Sequence, residues 1–329
     1  MSDTLAQTGY FLLSLDTELA WGYYDKDRAR ARKFSPDGSR ERRSIERLLD
    51  VLDEFRITAT WALVGHLFHK RCALCAVCPI LDWKGKYESF AQIYDTDAPL
   101  WYAADMVNLL LTRGARHEIA FHGYTHEVFD EETMSEDRAW LEIAEWLRLS
   151  RKRGILPRAV VFPRDRSGHL EVLREAGFLC YRGRGTTPVY YRTRYGGKLL
   201  KALDQIFAIS PPPVYAPGEL TTAPLLDLRA SEEFFSFNRR LELLLDGLDW
   251  HTLRIRRMVK GVRRAAREKK IVHICAHPWE FQTDKDFEKL RFLLGHVAEE
   301  VAAGSLESVG MTDLANRILG DAGRVGMPQ

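Results

Sequence analysis

Short apolar runs that end in polar clusters, alternating with stretches of helical periodicity, constrain this chain more than any other feature. The run Tyr10-Phe-Leu-Leu-Ser-Leu15 ends in Asp16-Thr17-Glu18, Glu118 to Phe121 stops at His122, and Ile271 to Ala276 stops at His277-Pro278-Trp279. Further strands are expected over 58–64, 158–162, 178–181 and 306–309. Helices are expected over 40–55, 103–112, 135–153, 167–176, 239–267, 284–302 and 312–319. In the first of these helices Ile45, Leu48, Leu49 and Leu52 recur at helical spacing. Repeated strand–helix units argue for a parallel sheet, and seven or so of them suit a closed α/β barrel. An open doubly wound sheet is the alternative.

Residues 183–236 carry few periodic signals and include Pro211-Pro212-Pro213. They are expected to form a long irregular excursion, and 66–101 a loop insertion, on a single domain covering 1–329. A chain of 329 residues buries enough surface to need no disulfide staples. Its five cysteines are an odd number, which argues against a full disulfide framework. The formal charge of +2 gives no case for a nucleic-acid partner. No run approaches the roughly 20 apolar residues of a membrane span. The first apolar run lacks the flanks of a signal peptide, so a cytoplasmic location is expected.

Parallel α/β folds place functional groups where strands end and loops begin. Asp16, Glu18, His122 and His126 are therefore expected to form a metal-centred hydrolytic site at one end of the barrel. Alternation along an extended segment puts Asp16 and Glu18 on one side and Thr17 on the other. Two imidazoles four residues apart meet at one centre if the backbone turns between them, and Gly123 allows that turn. A His/His/carboxylate set suits a catalytic divalent metal with positions left for water and substrate. One acid then binds the metal while the other serves as base.

These residues resemble the motifs of the polysaccharide deacetylase superfamily, the chitin- and peptidoglycan-deacetylase type of carbohydrate esterase. Ser14-Leu-Asp16-Thr-Glu18 matches its acid-bearing first strand end, although the usual adjacent acids are here separated by Thr17. His122-Gly-Tyr-Thr-His126 is similar to its His-Ser/Thr-x-x-His motif, with Gly123 in place of the hydroxyl residue that braces the loop. Ile274-Cys-Ala-His277 matches its last motif, and Ala59-Thr-Trp-Ala-Leu-Val-Gly65 resembles its second strand. The resemblance implies a distorted (β/α)7 barrel that removes acetyl groups from an N-acetylated sugar in a polysaccharide or glycan precursor. It implies Asp16 as general base, Glu18, His122 and His126 as ligands of a divalent metal (zinc, or cobalt, nickel or manganese), and His277 as general acid. The family's Arg-x-Pro motif is replaced by Phe162-Pro163-Arg164-Asp165, which leaves Arg164 as the candidate to orient Asp16. Asp227 and Glu219 are candidates for the acid that steadies His277.

Two features stand outside this scheme. Cys72, Cys75 and Cys78 follow His66 and His69 at three-residue spacing, a pattern that holds zinc or an iron–sulfur cluster elsewhere. Free thiols in a loop are the simpler reading. From His251 to Lys270 nine Lys/Arg face one acid, Glu268. A solvated helix face explains this, and peripheral contact with an anionic glycan or membrane is the functional alternative. Asp95, Trp101, Tyr102, Trp279 and Phe281 are expected in or near loops that line the site or in the core. The rival functions are an allantoinase- or imidase-like hydrolase of the same superfamily and a catalytically silent glycan-binding protein.

Overall fold

The computed structural model describes residues 7–23, 33–70, 98–113, 117–186, 209–220, 223–235 and 252–325, with a few positions between 203 and 250. Cys72, Cys75, Cys78 and Asp95 lie outside the described residues. Among the described residues nine strands form one parallel sheet: β1 (Gly9–Thr17), β2 (Thr60–Leu63), β3 (Glu118–Phe121), β4 (Ala159–Val161), β5 (Cys180–Arg182), β6 (Leu226–Asp227), β7 (Glu232–Glu233), β8 (Ile271–Ala276) and β9 (Leu306–Ser308). The pairing runs β6-β5-β4-β3-β2-β1-β8-β7, with β9 added beside β1. This is the distorted (β/α)7 barrel.

The ring closes inside the segment expected to be irregular. β6 and β7 belong to one stretch of chain, which pairs first with β5 and then with β8. Between the two strands Ala230 donates its N–H to Gly183 O, and Ser231 donates to His273 O. One extended segment therefore acts as the seventh stave. Its pattern was too short for periodicity to reveal.

Alternation sorts the side chains into two layers. Phe11, Leu13 and Leu15 face outward to the helices, among them α1 (Ser39–Phe55), α2 (Ala104–Arg113), α3 (Glu136–Arg151), α4 (Leu170–Glu175), α5 (Ile255–Glu268) and α6 (Asp284–Ala302). Tyr10 and Leu12 face inward against Ala62, Ala120, Ala159 and Cys180, and α7 (Met311–Val325) plugs that end with Met311, Leu314, Ala315 and Ile318. Small residues on β2 to β5 leave room for this plug. Toward the other end the inward positions turn polar: Ser14 and Asp16 on β1, His122 after β3, Arg182 on β5, His273 on β8. No helix among the described residues is long and apolar enough to cross a membrane.

Two helices differ from expectation. α4 starts at Leu170 because His169 has φ of +52°, which ends any helix reaching back to Ser167. α5 starts at Ile255, after a turn over 252–254 that interrupts the helix expected over 239–267, most of whose first part, 239–251, lies outside the described residues. Its charges are also divided. Arg254 and Arg257 are buried and turn inward, onto Phe234 O and the Glu232 carboxylate, while Arg256, Lys260, Arg263 and Arg267 are exposed. The basic run is partly a structural clamp on β7.

His273 shows how the interior is wired. A carbonyl can only accept, so His273 Nδ1 donates to Leu228 O at 3.0 Å. Its Nε2 then accepts from Ser14 Oγ at 2.9 Å. Burial and the nearby Arg182 charge push the imidazole down to about 3. The unfolded chain takes up this proton near pH 6.5 and the folded one does not, so stability rises with pH between these values. Acidification from pH 6 to 4 is expected to cost about 1 kcal/mol per unit through this group. His273→Gln should flatten that slope in denaturant titrations, and an unchanged slope would refute the neutral assignment.

Candidate metal centre

The loop after β3 doubles back because Gly123 and His126 both take positive φ, +74° and +60°. This brings the His122 and His126 rings to 5.0 Å between centroids. His122 Nδ1 donates to Val161 O at 2.8 Å, which leaves Nε2 with its lone pair, 3.4 Å from Glu18 Oε2. His126 Nε2 lies 2.7 Å from the same oxygen. Yet among the described residues neither ring nitrogen of His126 meets hydrogen-bond geometry with a partner, although the ring is buried. Two acceptor atoms that converge without a shared proton fit a cation between them. One donor atom each from Glu18, His122 and His126 lies within 4.8 Å of the others, all three buried. A backbone carbonyl on the far nitrogen of a ligating imidazole is the usual orienting contact.

Two supports were not legible in the sequence. Gly22 lines the cavity next to Glu18, and a Cβ there would collide with the Glu18 carboxylate. Glu142 on α3 is fully buried and accepts from Tyr124 N (2.6 Å), Thr125 N (2.9 Å) and Thr125 Oγ1 (2.5 Å). It braces the histidine loop in place of the hydroxyl that Gly123 lacks. Burial raises its carboxyl above the usual range.

Arg182 grips Asp16 with two hydrogen bonds, Nη1 to Oδ1 at 2.5 Å and Nη2 to Oδ2 at 2.7 Å. Nη1 also donates to Ser14 Oγ (3.2 Å) and Nη2 to Asp165 Oδ1 (2.8 Å). Arg164, the sequence-based candidate, lines the cavity, but the guanidinium on Asp16 is that of Arg182. Burial would raise the Asp16 carboxyl, but Arg182 outweighs it and holds the group below its ordinary value. Burial of Glu18 is likewise overcome, by His126 and His277, which hold it well below the usual range. Burial pushes His126 down.

His277 joins the site from the end of β8. Its Nε2 faces Glu18 Oε1 at 3.6 Å and Asp16 Oδ2 at 4.0 Å. On the other side Nδ1 donates to Glu280 Oε2 at 3.1 Å. The steadying acid is thus Glu280, three residues on, and not Asp227 or Glu219. Asp227 pairs with Arg229, and Glu219 accepts from the Ala216 N–H of its own turn. Against its burial, Glu18, Glu280 and Asp16 hold the His277 imidazole well above its ordinary range. The cavity that Asp16, Glu18, His126, Arg182 and His277 share is about 260 Å³, with Tyr23, Arg164, Asp165, Glu233 and Cys275 among its walls. Trp101, Tyr102, Trp279 and Phe281 belong to the core instead.

No family model and no curated protein sequence matches the chain. Solved structures do. A protein of Mycobacterium smegmatis assigned to the polysaccharide deacetylases superposes with a TM-score of 0.61, over 98% of this chain and 94% of its own, at 15% identity. The chain has the polysaccharide deacetylase fold. A protein of Pseudomonas aeruginosa PAO1 assigned to the same group shares that fold with a TM-score of 0.53 at 13% identity, over 93% of this chain and 89% of its own. Puue allantoinase also superposes with a TM-score of 0.53, at 14% identity and the same coverage of each chain, 93% and 89%. In this fold as built here, six strands or their following loops (β1, β3, β4, β5, β7 and β8) feed one cavity.

Two substitutions test the supports. Glu142→Ala leaves the Tyr124 and Thr125 amides unpaired in the interior, and about 3 kcal/mol of unfolding free energy should be lost in denaturant titrations. Gly22→Ala should lower metal affinity about 10–100-fold in equilibrium dialysis while barely changing the melting temperature. Unchanged affinity would show that Gly22 is not needed to seat Glu18.

Proposed function

We propose that this protein is a metal-dependent hydrolase that removes acetyl groups from an N-acetylated sugar in a polysaccharide or glycan precursor. The observation that carries the reading is the shared cavity. Glu18 and His126 of the buried Glu18/His122/His126 donor set line it, together with the Arg-held Asp16 carboxylate and the His277 imidazole.

A divalent ion on that donor set, zinc or else cobalt, nickel or manganese, supplies Lewis acidity toward water and a carbonyl oxygen. Asp16, kept ionised by Arg182, accepts the proton of the attacking water. His277 enters the reaction protonated and gives its proton to the departing amine. Glu280 holds the ring so that Nε2 points into the cavity. An acid and a base with values displaced in opposite directions are what amide hydrolysis needs near neutral pH. Tyr23 and Arg164 stand at the cavity wall, where a sugar ring and its hydroxyls would lie.

The same machinery would open a cyclic amide, and the superposition on Puue allantoinase makes that the second reading. Acetate release from N-acetylglucosamine oligomers, measured beside hydrolysis of allantoin, separates the two. Acetate should appear with the glycan, and turnover of allantoin alone would favour the second reading. Absence of both with glycan binding intact would leave a binding protein. Asp16→Asn should lower acetate release about 10²–10⁴-fold with bound metal retained. The His122→Ala/His126→Ala double variant should lose the metal itself, and full stoichiometry there would refute the centre.

A further inference from the structure

The imidazole of His277 sits between two donor groups. Its Nε2 side belongs to the centre described above. Its Nδ1 side faces two further carboxylates: Glu280 Oε2 at 3.1 Å and Glu233 Oε1 at 3.8 Å. One ligand atom from each of Glu233, His277 and Glu280 lies within 4.8 Å of the other two, the same convergence as in the Glu18 set. The three come from separate places in the fold: the end of the closing stave β7, the end of β8, and the turn after it.

We propose that Glu233, His277 and Glu280 form a second, weaker site for a transition-metal cation, and that an excess of such a cation inhibits the enzyme there. The inhibition rests on the reading of His277 as proton donor; the binding does not.

Three observations support the site. The first is charge. Asp16 and Asp165 have Arg182 as a counter-charge, but among the described residues neither Glu233 nor Glu280 forms an ion pair with a lysine or arginine. The second is the donor set. Two carboxylate oxygens and one imidazole nitrogen suit zinc, nickel or copper, whereas calcium and magnesium prefer oxygen ligands alone. The third is exposure, which ranks the two sites. The side chains of Glu233, His277 and Glu280 are 44%, 25% and 18% exposed, against 6%, 1% and 2% for Glu18, His122 and His126. More solvated ligands hold a cation less tightly than buried ones oriented by neighbours.

The consequence for the reaction follows from the ring. A cation on Nδ1 takes the place of the proton there, which leaves to solvent. The Nε2–H that remains could be given up only by forming an imidazolate. His277 then has no proton for the departing amine, although the first centre stays intact.

Equilibrium dialysis of the full chain against Zn²⁺ alone tests the binding without substrate. The Glu233→Gln/Glu280→Gln variant is expected to bind one equivalent fewer than the wild type, and the equivalent lost should be a weak one. The single variant Glu233→Gln, altered at a half-exposed side chain, should weaken that equivalent at least tenfold and serves if the double variant fails to fold. In the His122→Ala/His126→Ala variant the weak equivalent should persist. Equal counts and affinities in wild type and both Glu variants overturn the site. For inhibition, acetate release should rise and then fall with added Zn²⁺, and Glu233→Gln should move the fall to at least tenfold higher concentration. A fall at the same concentration overturns the inhibitory role. A chain that loses the weak equivalent in the variants but releases no acetate refutes the proposed function and leaves the second site standing.

Discussion

Two carboxylates leave β1 side by side, and the way each is neutralised organises the rest of the site. Asp16 is held by Arg182 from across the barrel interior, with both charges almost wholly buried. Taking two ions out of water is costly, and the geometry must repay it with several hydrogen bonds. Arg182 makes them to Asp16, Ser14 and Asp165, and so ties β1, β5 and the turn after β4 to one point. Glu18 receives no arginine among the described contacts. Histidines surround it: His122, His126 and His277. A guanidinium cannot give up its charge or bind a metal, whereas neutral imidazole nitrogens can share a carboxylate with a cation. This difference in partners gives Asp16 and Glu18 separate tasks although they are two positions apart.

That ion pair can exist only in a closed ring. β1 and β5 are not neighbours in the sheet, and their inward side chains meet because the barrel wraps β5 around to face β1. Closure depends on the stave at 226–233, whose first half pairs with β5 and whose second half pairs with β8. Arg254 and Arg257 of α5 lock its end from outside. The same stave delivers Glu233 to the cavity. His273, hydrogen-bonded to Leu228 of this stave and to Ser14 of β1, links closure to the residues that steady Arg182.

Much of this was legible wherever a local pattern carried it. The strand over Glu118–Phe121, the strand over Ile271–Ala276 and the helix over Asp284–Ala302 follow from apolar period and length, and the structure has each of them at those bounds. The polar ends of β1, β3 and β8 pointed to one face of one barrel, because parallel strands all end on the same side. The stave at 226–233 was not legible, since two-residue strands have no period to read. Arg182 was hidden at the last position of a short strand, where an arginine is ordinarily a surface residue. Glu142 looked like one more acid on an amphipathic helix. Glu280 was passed over because nothing in its neighbourhood marks it apart from the spacing to His277.

The sequence by itself determined which chemistry-bearing groups stand at strand ends, their order, and that Gly123 lets the loop between two histidines turn. These are short-range properties of backbone and side-chain period. Only the tertiary structure decided which arginine meets Asp16, which glutamates face His277, and which acid braces the histidine loop. Those pairings join residues 166, 44, 3 and 17 positions apart. In the sequence each has several equivalent rivals, and only the closed barrel selects among them, by bringing distant strand ends to one cavity and by making an unpaired buried charge such as Asp16 or Arg182 too costly to keep.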